Sequence, residues 1–321
     1  MATLKPDPEW QKVWAPFAEM PKPSVTTAQQ LRYHNDASMR ATFRYAPVEG
    51  IQDTKITIKS LDGSKIDVTR LVPASFDRED RAQRAVVFVF GGGLVSGSVD
   101  VFRPIAARIA DRSGAQVFAV NYRLAPEHPA PAAVEDVYAT VAWVQRYARS
   151  FGVDPARVVL WGTSAGGGIA AGASLMARDR GLSPPIAGQV LIYPKLDDRT
   201  TMTEEHPMWP WLTWSTNFNE IGWKAYLGLE RAERNDDNVS IYAAPARAQD
   251  LSGLPATHID VGTLDLYRDE CTAFASKLAA ANNNVEFHLY PGVPHAFEGV
   301  APDIYWSKTM KSNQFRFLAS I

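Results

Sequence analysis

A single cysteine, Cys271, is all the thiol chemistry in 321 residues. That excludes an internal disulfide and suits a reducing compartment. Without Cys/His pairs at zinc spacing the pattern offers no metal site. An excess of one charge is equally lacking: 33 basic residues against 35 acidic ones leave a formal net charge of -2, so neither nucleic acid nor an acidic membrane is an expected partner. No apolar run approaches the roughly 18 residues of a membrane span. The opening residues, Met1 to Trp10, have no apolar stretch of the secretory kind, and a cytoplasmic protein is expected. Repeats and low-complexity tracts are absent too. What remains is 46% hydrophobic and 21% charged, ordinary globular proportions at a length that suits one large α/β domain or two small ones.

Trp10, Trp14, Phe17 and Met20 recur at near-helical spacing, Pro21 and Pro23 follow, and a second helix is expected over about Gln29 to Tyr45. Their rings either cover a flank of the domain or help line a pocket. Strand signals then begin at Thr54 to Lys59 and Lys65 to Val72, joined by the hairpin turn Asp62-Gly63. Ala85 to Phe90 is apolar on both faces and belongs in a sheet centre. Further strands are expected at 116–121, from 157, and at 187–192, 256–261 and 285–290. Helices are expected at about 101–112, 132–149, 269–281 and 304–318, with another directly after the strand from 157. The alternation predicts an α/β fold with a mostly parallel sheet and an antiparallel hairpin at its edge. One segment, from Tyr193-Pro194 to about Tyr242, breaks the alternation and carries Trp209, Trp211, Trp214 and Trp223. It is either a lid rising from the strand ends or a packing subdomain without a role in binding.

The stretch Val158 to Gly168 carries the chemistry. A strand-length apolar run meets Gly162-Thr163-Ser164-Ala165-Gly166, and small residues compatible with a helix follow. A serine on a tight strand-to-helix turn sits in strained geometry, and glycine at the flanks lets the neighbouring chain pass. The turn presents the Ser164 hydroxyl and aims the Ala165 N–H at a developing oxyanion. An acyl-transfer serine also needs a base and a group to orient it. Of the six histidines, His258 and His288 fall in strand patterns, His34 in the N-terminal segment, His128 beside prolines and His206 in the tryptophan-rich segment. His295 alone follows the final strand, in a turn where a base can swing over Ser164. Asp265 lies just past the strand 256–261, with Asp260 and Asp269 as rivals. Gly91-Gly92-Gly93 closes the central strand and can turn backbone N–H groups inward.

The run Asn121 to Asp136, the Gly-x-Ser-Ala-Gly-Gly turn, the triple glycine, the 265–270 segment and His295 together resemble the hormone-sensitive-lipase family of α/β-hydrolases, over roughly residues 80 to 300. The resemblance implies an α/β-hydrolase fold: a mostly parallel sheet of about eight strands flanked by helices, with a helical cap. Residues 1–50 would form an N-terminal cap segment, 51–194 and 243–321 the two parts of the core, and 195–242 the cap insertion. It implies a cofactor-free carboxylesterase acting on a small-molecule ester. Ser164 would be nucleophile, His295 base and acid, and Asp265 its orienting carboxylate, with Gly92, Gly93 and Ala165 donating to the oxyanion. Phe90, Leu94, Trp209, Trp211 and Trp214 are candidate substrate contacts, and the resemblance also implies a homodimer through the last strand and its flanking helix. Lactonase or acyltransferase chemistry would use the same three side chains. An amidase, or a ligand-binding protein on the same frame, as in the plant gibberellin receptors that lack the histidine, are the remaining alternatives. Two positions depart from the family pattern: Phe90 stands where a histidine usually precedes the glycines, and Thr163 where an aspartate usually precedes the serine.

Overall fold

The computed structural model describes residues 4–18, 23–43, 45–76 and 83–321; Met20 and Pro21 lie outside them. Eight strands form one sheet: β1 (Gln52–Lys59), β2 (Lys65–Val72), β3 (Ala85–Val89), β4 (Gln116–Asn121), β5 (Val158–Thr163), β6 (Gly188–Ile192), β7 (Ala256–Gly262) and β8 (Val285–Tyr290). Their order is β1-β2-β4-β3-β5-β6-β7-β8. Only β2 runs against its neighbours, β1 on one side and β4 on the other; the remaining pairs are parallel. The expected hairpin turns through Gly63, whose φ of 84° only glycine adopts at no cost.

Apolarity on both faces explains why β3 and β5 lie in the middle. Every residue of both strands is buried, and each large side chain there, such as Phe88 or Leu160, contributes about 1.5–3 kcal/mol by leaving water. Helices α3 (Val99–Ser113), α4 (Ala132–Arg146), α6 (Ala165–Asp179), α8 (Arg268–Ala280) and α10 (Tyr305–Ser320) cover the sheet, with the short α5 (Ala148–Phe151) and α9 (Phe297–Val300) between them. The single helix expected over 132–149 is broken at Tyr147, where the chain tightens and the Ser150 N–H bonds back to the Tyr147 carbonyl.

Because β3 pairs with both β4 and β5, the sheet order reverses beside β3. In open α/β sheets such a reversal opens a crevice beyond the carboxyl ends of the strands. The segments following β3, β5, β7 and β8 all leave from that edge. Helix α1 (Pro8–Ala18) buries Trp10 and stacks it on Trp14. Helix α2 (Ala28–Thr42), capped by Thr27, packs against α7 (Thr216–Leu227), the one α-helix of the 193–242 segment. His34 of α2 meets Phe218 of α7 at 5.8 Å, and Asn217 donates to the Val25 carbonyl at 2.8 Å.

Candidate active site

Ser164 stands between β5 and α6 with φ 55° and ψ -121°, a conformation that costs a non-glycine residue about 1–3 kcal/mol. Hydrogen bonds on both sides hold it there. Its N–H donates to the Ile192 carbonyl at 2.8 Å, and its own carbonyl accepts from Gly167, Gly168 and Lys195. Space decides the glycine after it: a Cβ on Gly166 would stand 2.2 Å from the Val89 carbonyl oxygen and 2.3 Å from that of Phe90. The end of β3 is thereby pressed against the turn, and a Cβ at Gly91 would be 3.1 Å from Ser164 Cβ.

Three side chains from three strand ends meet at this turn. His295 Nε2 lies 2.9 Å from Ser164 Oγ, and His295 Nδ1 lies 2.8 Å from Asp265 Oδ2. Asp265 is fully buried and also accepts the Tyr267 N–H at 2.9 Å. The rivals lie elsewhere. Asp260 accepts from Tyr290 and Gln314 and faces His258, whereas Asp269 is exposed and pairs with Arg268. An alcohol, an imidazole and a carboxylate in line can pass a proton from oxygen to nitrogen while the carboxylate fixes the tautomer.

The glycine loop follows β3. Gly92 has φ 135° and Gly93 φ 63°. The Gly92 carbonyl is tied down by the N–H groups of Val95 and Ser96 and by Ser96 Oγ. The N–H groups of Gly92, Gly93 and Ala165 donate to no acceptor among the described residues. Leu94, at φ 75° and 4% exposed, pays strain inside the same loop.

Over the loop lies Trp214, its indole against Gly93 and its ring 6.3 Å from that of His295. Thr213 donates to the His295 carbonyl at 2.9 Å, tying the 193–242 segment to the site. Trp209 and Trp211 form a half-buried 3-10 turn, and no described ring of the site stacks on them. Phe90 departs from its expected place among the substrate contacts. It is 1% exposed, stacked on Tyr122 at 4.2 Å and Phe102 at 5.9 Å, so the end of β3 directs this ring into the core. Ser164 and His295 are themselves only 8% and 7% exposed.

Several contributors carry no motif. Arg32, Asn35 and Asp36 share one face of α2 and reach the glycine loop. Arg32 donates to the Val95 and Ala125 carbonyls, Asn35 to Ser96 Oγ, and Asp36 accepts the Gly97 N–H. Their i, i+3, i+4 spacing is the only signal the sequence offered. Lys195 is buried beneath α7, where its Nζ donates to the Asn219 carbonyl at 3.1 Å and lies over the Trp223 ring. Burial pushes its ammonium down to about 7. The Asn121 to Asp136 run is a framework: the Arg123 guanidinium grips Asp136, which also accepts from Ser60.

Comparison with known proteins places the fold in a family. A family profile described as alpha/beta hydrolase fold matches residues 86–299. Esterase LipI of Mycobacterium tuberculosis is 37% identical over 226 residues, 69% of this chain and 68% of its own. Carboxylesterase NlhH of the same species is 36% identical over 224 residues, 67% of each chain. Among solved structures, a bacterial heroin esterase superposes with a TM-score of 0.83 at 31% identity, covering 98% of this chain and 97% of its own. A hyperthermophilic esterase from the archaeon Pyrobaculum calidifontis does so with 0.81 at 30%, covering 99% of both. On these grounds the chain belongs to the hormone-sensitive-lipase-like family of α/β-hydrolase-fold esterases.

Proposed function

We propose that the chain hydrolyses carboxylic esters with short- to medium-chain acyl or aromatic groups, through an acyl-enzyme on Ser164. Ser164 Oγ attacks the ester carbonyl while His295 Nε2 takes its proton, and Asp265 stabilises the imidazolium that results. The negative oxygen is received by the N–H groups of Gly92, Gly93 and Ala165, each worth about 3 kcal/mol in the transition state. Collapse expels the alcohol, which leaves with the proton from His295. Water then gives its proton to His295, attacks the acyl carbon and releases the acid, and Ser164 regains its hydrogen. No metal or organic cofactor takes part.

The observation that carries this reading is the hydrogen-bonded line from Ser164 through His295 to Asp265 beside three unpaired N–H groups. A ligand-binding role would require none of it. The 193–242 segment acts with α2 as the cap, and Trp214 walls the pocket. With Ser164 so little exposed, an alcohol held under the cap could outcompete water, and lactones or acyl transfer would then use the same atoms. Cys271, a buried free thiol, fits a cytoplasmic setting. Pairing of two copies through the β8 edge, where Leu289 is 42% exposed, belongs to the same proposal and is read by sedimentation at two concentrations.

The test is hydrolysis of p-nitrophenyl esters of increasing acyl length, with a fluorophosphonate label and a mass readout of the labelled peptide. Turnover on short chains with label on Ser164 is expected. Turnover with the label on another residue overturns the assignment.

A further inference from the structure

Beneath His295 lies a polar cluster that the proposed reaction does not use. Glu298, three residues on in α9, is 6% exposed. Its Oε1 accepts the Tyr193 hydroxyl, and its Oε2 has no partner within the protein. Tyr193 is buried as well, with a strained φ of 36° held by its N–H bond to the Asp260 carbonyl. The edge of its ring meets the His295 imidazole, centroids 4.5 Å apart and planes at 62°. Glu298 and Thr163, the residue before Ser164, line one cavity of about 40 Å³, together with Tyr45, Arg108, Trp161 and Lys311. Thr163 Oγ1, Trp161 Nε1 and Arg108 Nε are also without partners. An unsatisfied buried polar atom costs about 1–3 kcal/mol. These four atoms sit on residues that line one space with room for a water, which takes two to four polar partners.

We propose that Glu298 is a positioning residue for His295, holding the Tyr193 hydroxyl on one oxygen and, on the other, a water shared with Thr163 Oγ1. The inference rests on His295 acting as the base. Hydrogen bonds to Asp265 and Ser164 fix the two ring nitrogens but leave the imidazole free to rock about the line joining them. Ring contacts remove that freedom: Tyr193 at one side, Tyr267 edge-on at 5.1 Å, and Trp214. Of these, only Tyr193 is itself set by a carboxyl group on the histidine's own turn.

Glu298 acts by shape and not by charge. The groups facing it are Tyr45, Tyr193, His295, Arg108 and Lys311. Neither cation pairs with it: Lys311 donates to the Pro302 carbonyl and Arg108 to that of Ala46. Burial raises its carboxyl above its usual value, against the pull of the Tyr193 hydroxyl, Lys311 and His295.

The experiment measures the rate at which a fluorophosphonate labels Ser164, with kcat per labelled site and KM on one p-nitrophenyl ester, across pH. The proteins are wild type, Glu298→Leu, Glu298→Gln and Tyr193→Phe. Glu298→Leu and Tyr193→Phe should each slow labelling and kcat about tenfold, less than the roughly 100-fold of a full 1 Å misplacement, with KM nearly unchanged. Glu298→Gln should recover most of both rates with the pH midpoint in place. If Glu298→Leu does not fold, Tyr193→Phe and Glu298→Gln carry the test. Wild-type labelling rates in Tyr193→Phe overturn the proposal. So does a Gln variant with a shifted pH midpoint, which would make Glu298 a charge. A wild type with neither label nor turnover overturns the functional reading instead, whatever the variants do.

Discussion

The indole of Trp214 lies so close over Gly93 that a Cβ there would stand 2.5 Å from its ring. The 193–242 segment and the glycine loop are therefore packed together at this point, and under the proposed reading the wall of the acyl site moves with the loop. Trp214→Ala should raise kcat/KM on long acyl esters relative to short ones, because the wall recedes while the backbone donors remain. Removing a buried tryptophan costs about 3–5 kcal/mol, so thermal unfolding should move down in parallel. An unchanged chain-length profile would place the acyl group elsewhere.

Ser164→Ala should lower kcat by at least about 10⁴ with an unchanged circular dichroism spectrum, since the serine works as a unit with its base. Asp265→Asn should cost about as much by presenting His295 in the wrong tautomer. Steady-state kinetics on one ester reads both.

The face of α2 toward the loop offers a subtler test. Asp36→Ala removes the acceptor for the Gly97 N–H, 2.8 Å away in the native chain, and loosens the loop that follows β3. Expected is a several-fold fall in kcat with little change in KM, because donors that wander stabilise the transition state less. A change confined to KM would mean that α2 shapes binding only.

Lys195 makes stability depend on pH with a definite sign. Burial pushes its ammonium down to about 7 from the ordinary 10.5, so between those limits the unfolded chain holds more protons than the folded one. The contribution of Lys195 to stability should then rise as pH increases from about 7 toward 10.5, against that of Glu270, whose carboxyl burial pushes up to about 8. In Lys195→Met that rise should vanish, and the variant should be the more stable near pH 7. Calorimetric Tm against pH reads it; parallel curves for the two proteins would show that the lysine does not titrate there.

How much of this was legible beforehand follows from what periodicity and spacing report. The strands of the sheet centre and the turn at Ser164 were readable because a continuous apolar run must be covered on both faces and closely spaced glycines fit a tight strand-to-helix turn. His295 and Asp265 were readable because parallel strands deliver their carboxyl ends to one edge. The direction of Phe90 was not, since the residue ending β3 can face the crevice or the core, and only the stacking on Tyr122 decides. Nor were Arg32, Asn35 and Asp36: a polar helix face looks the same whether it meets water or a loop. Glu298 gave no sign because its partner Tyr193 is 105 residues away.

The most direct measurement is the mass of the intact protein during rapid-quench turnover of p-nitrophenyl acetate, followed by peptide mapping. The account requires a transient acetyl adduct on Ser164 that forms with the burst of p-nitrophenol, decays at kcat, and is absent in Ser164→Ala. Full turnover without an acyl adduct, or with the adduct on another residue, would contradict it.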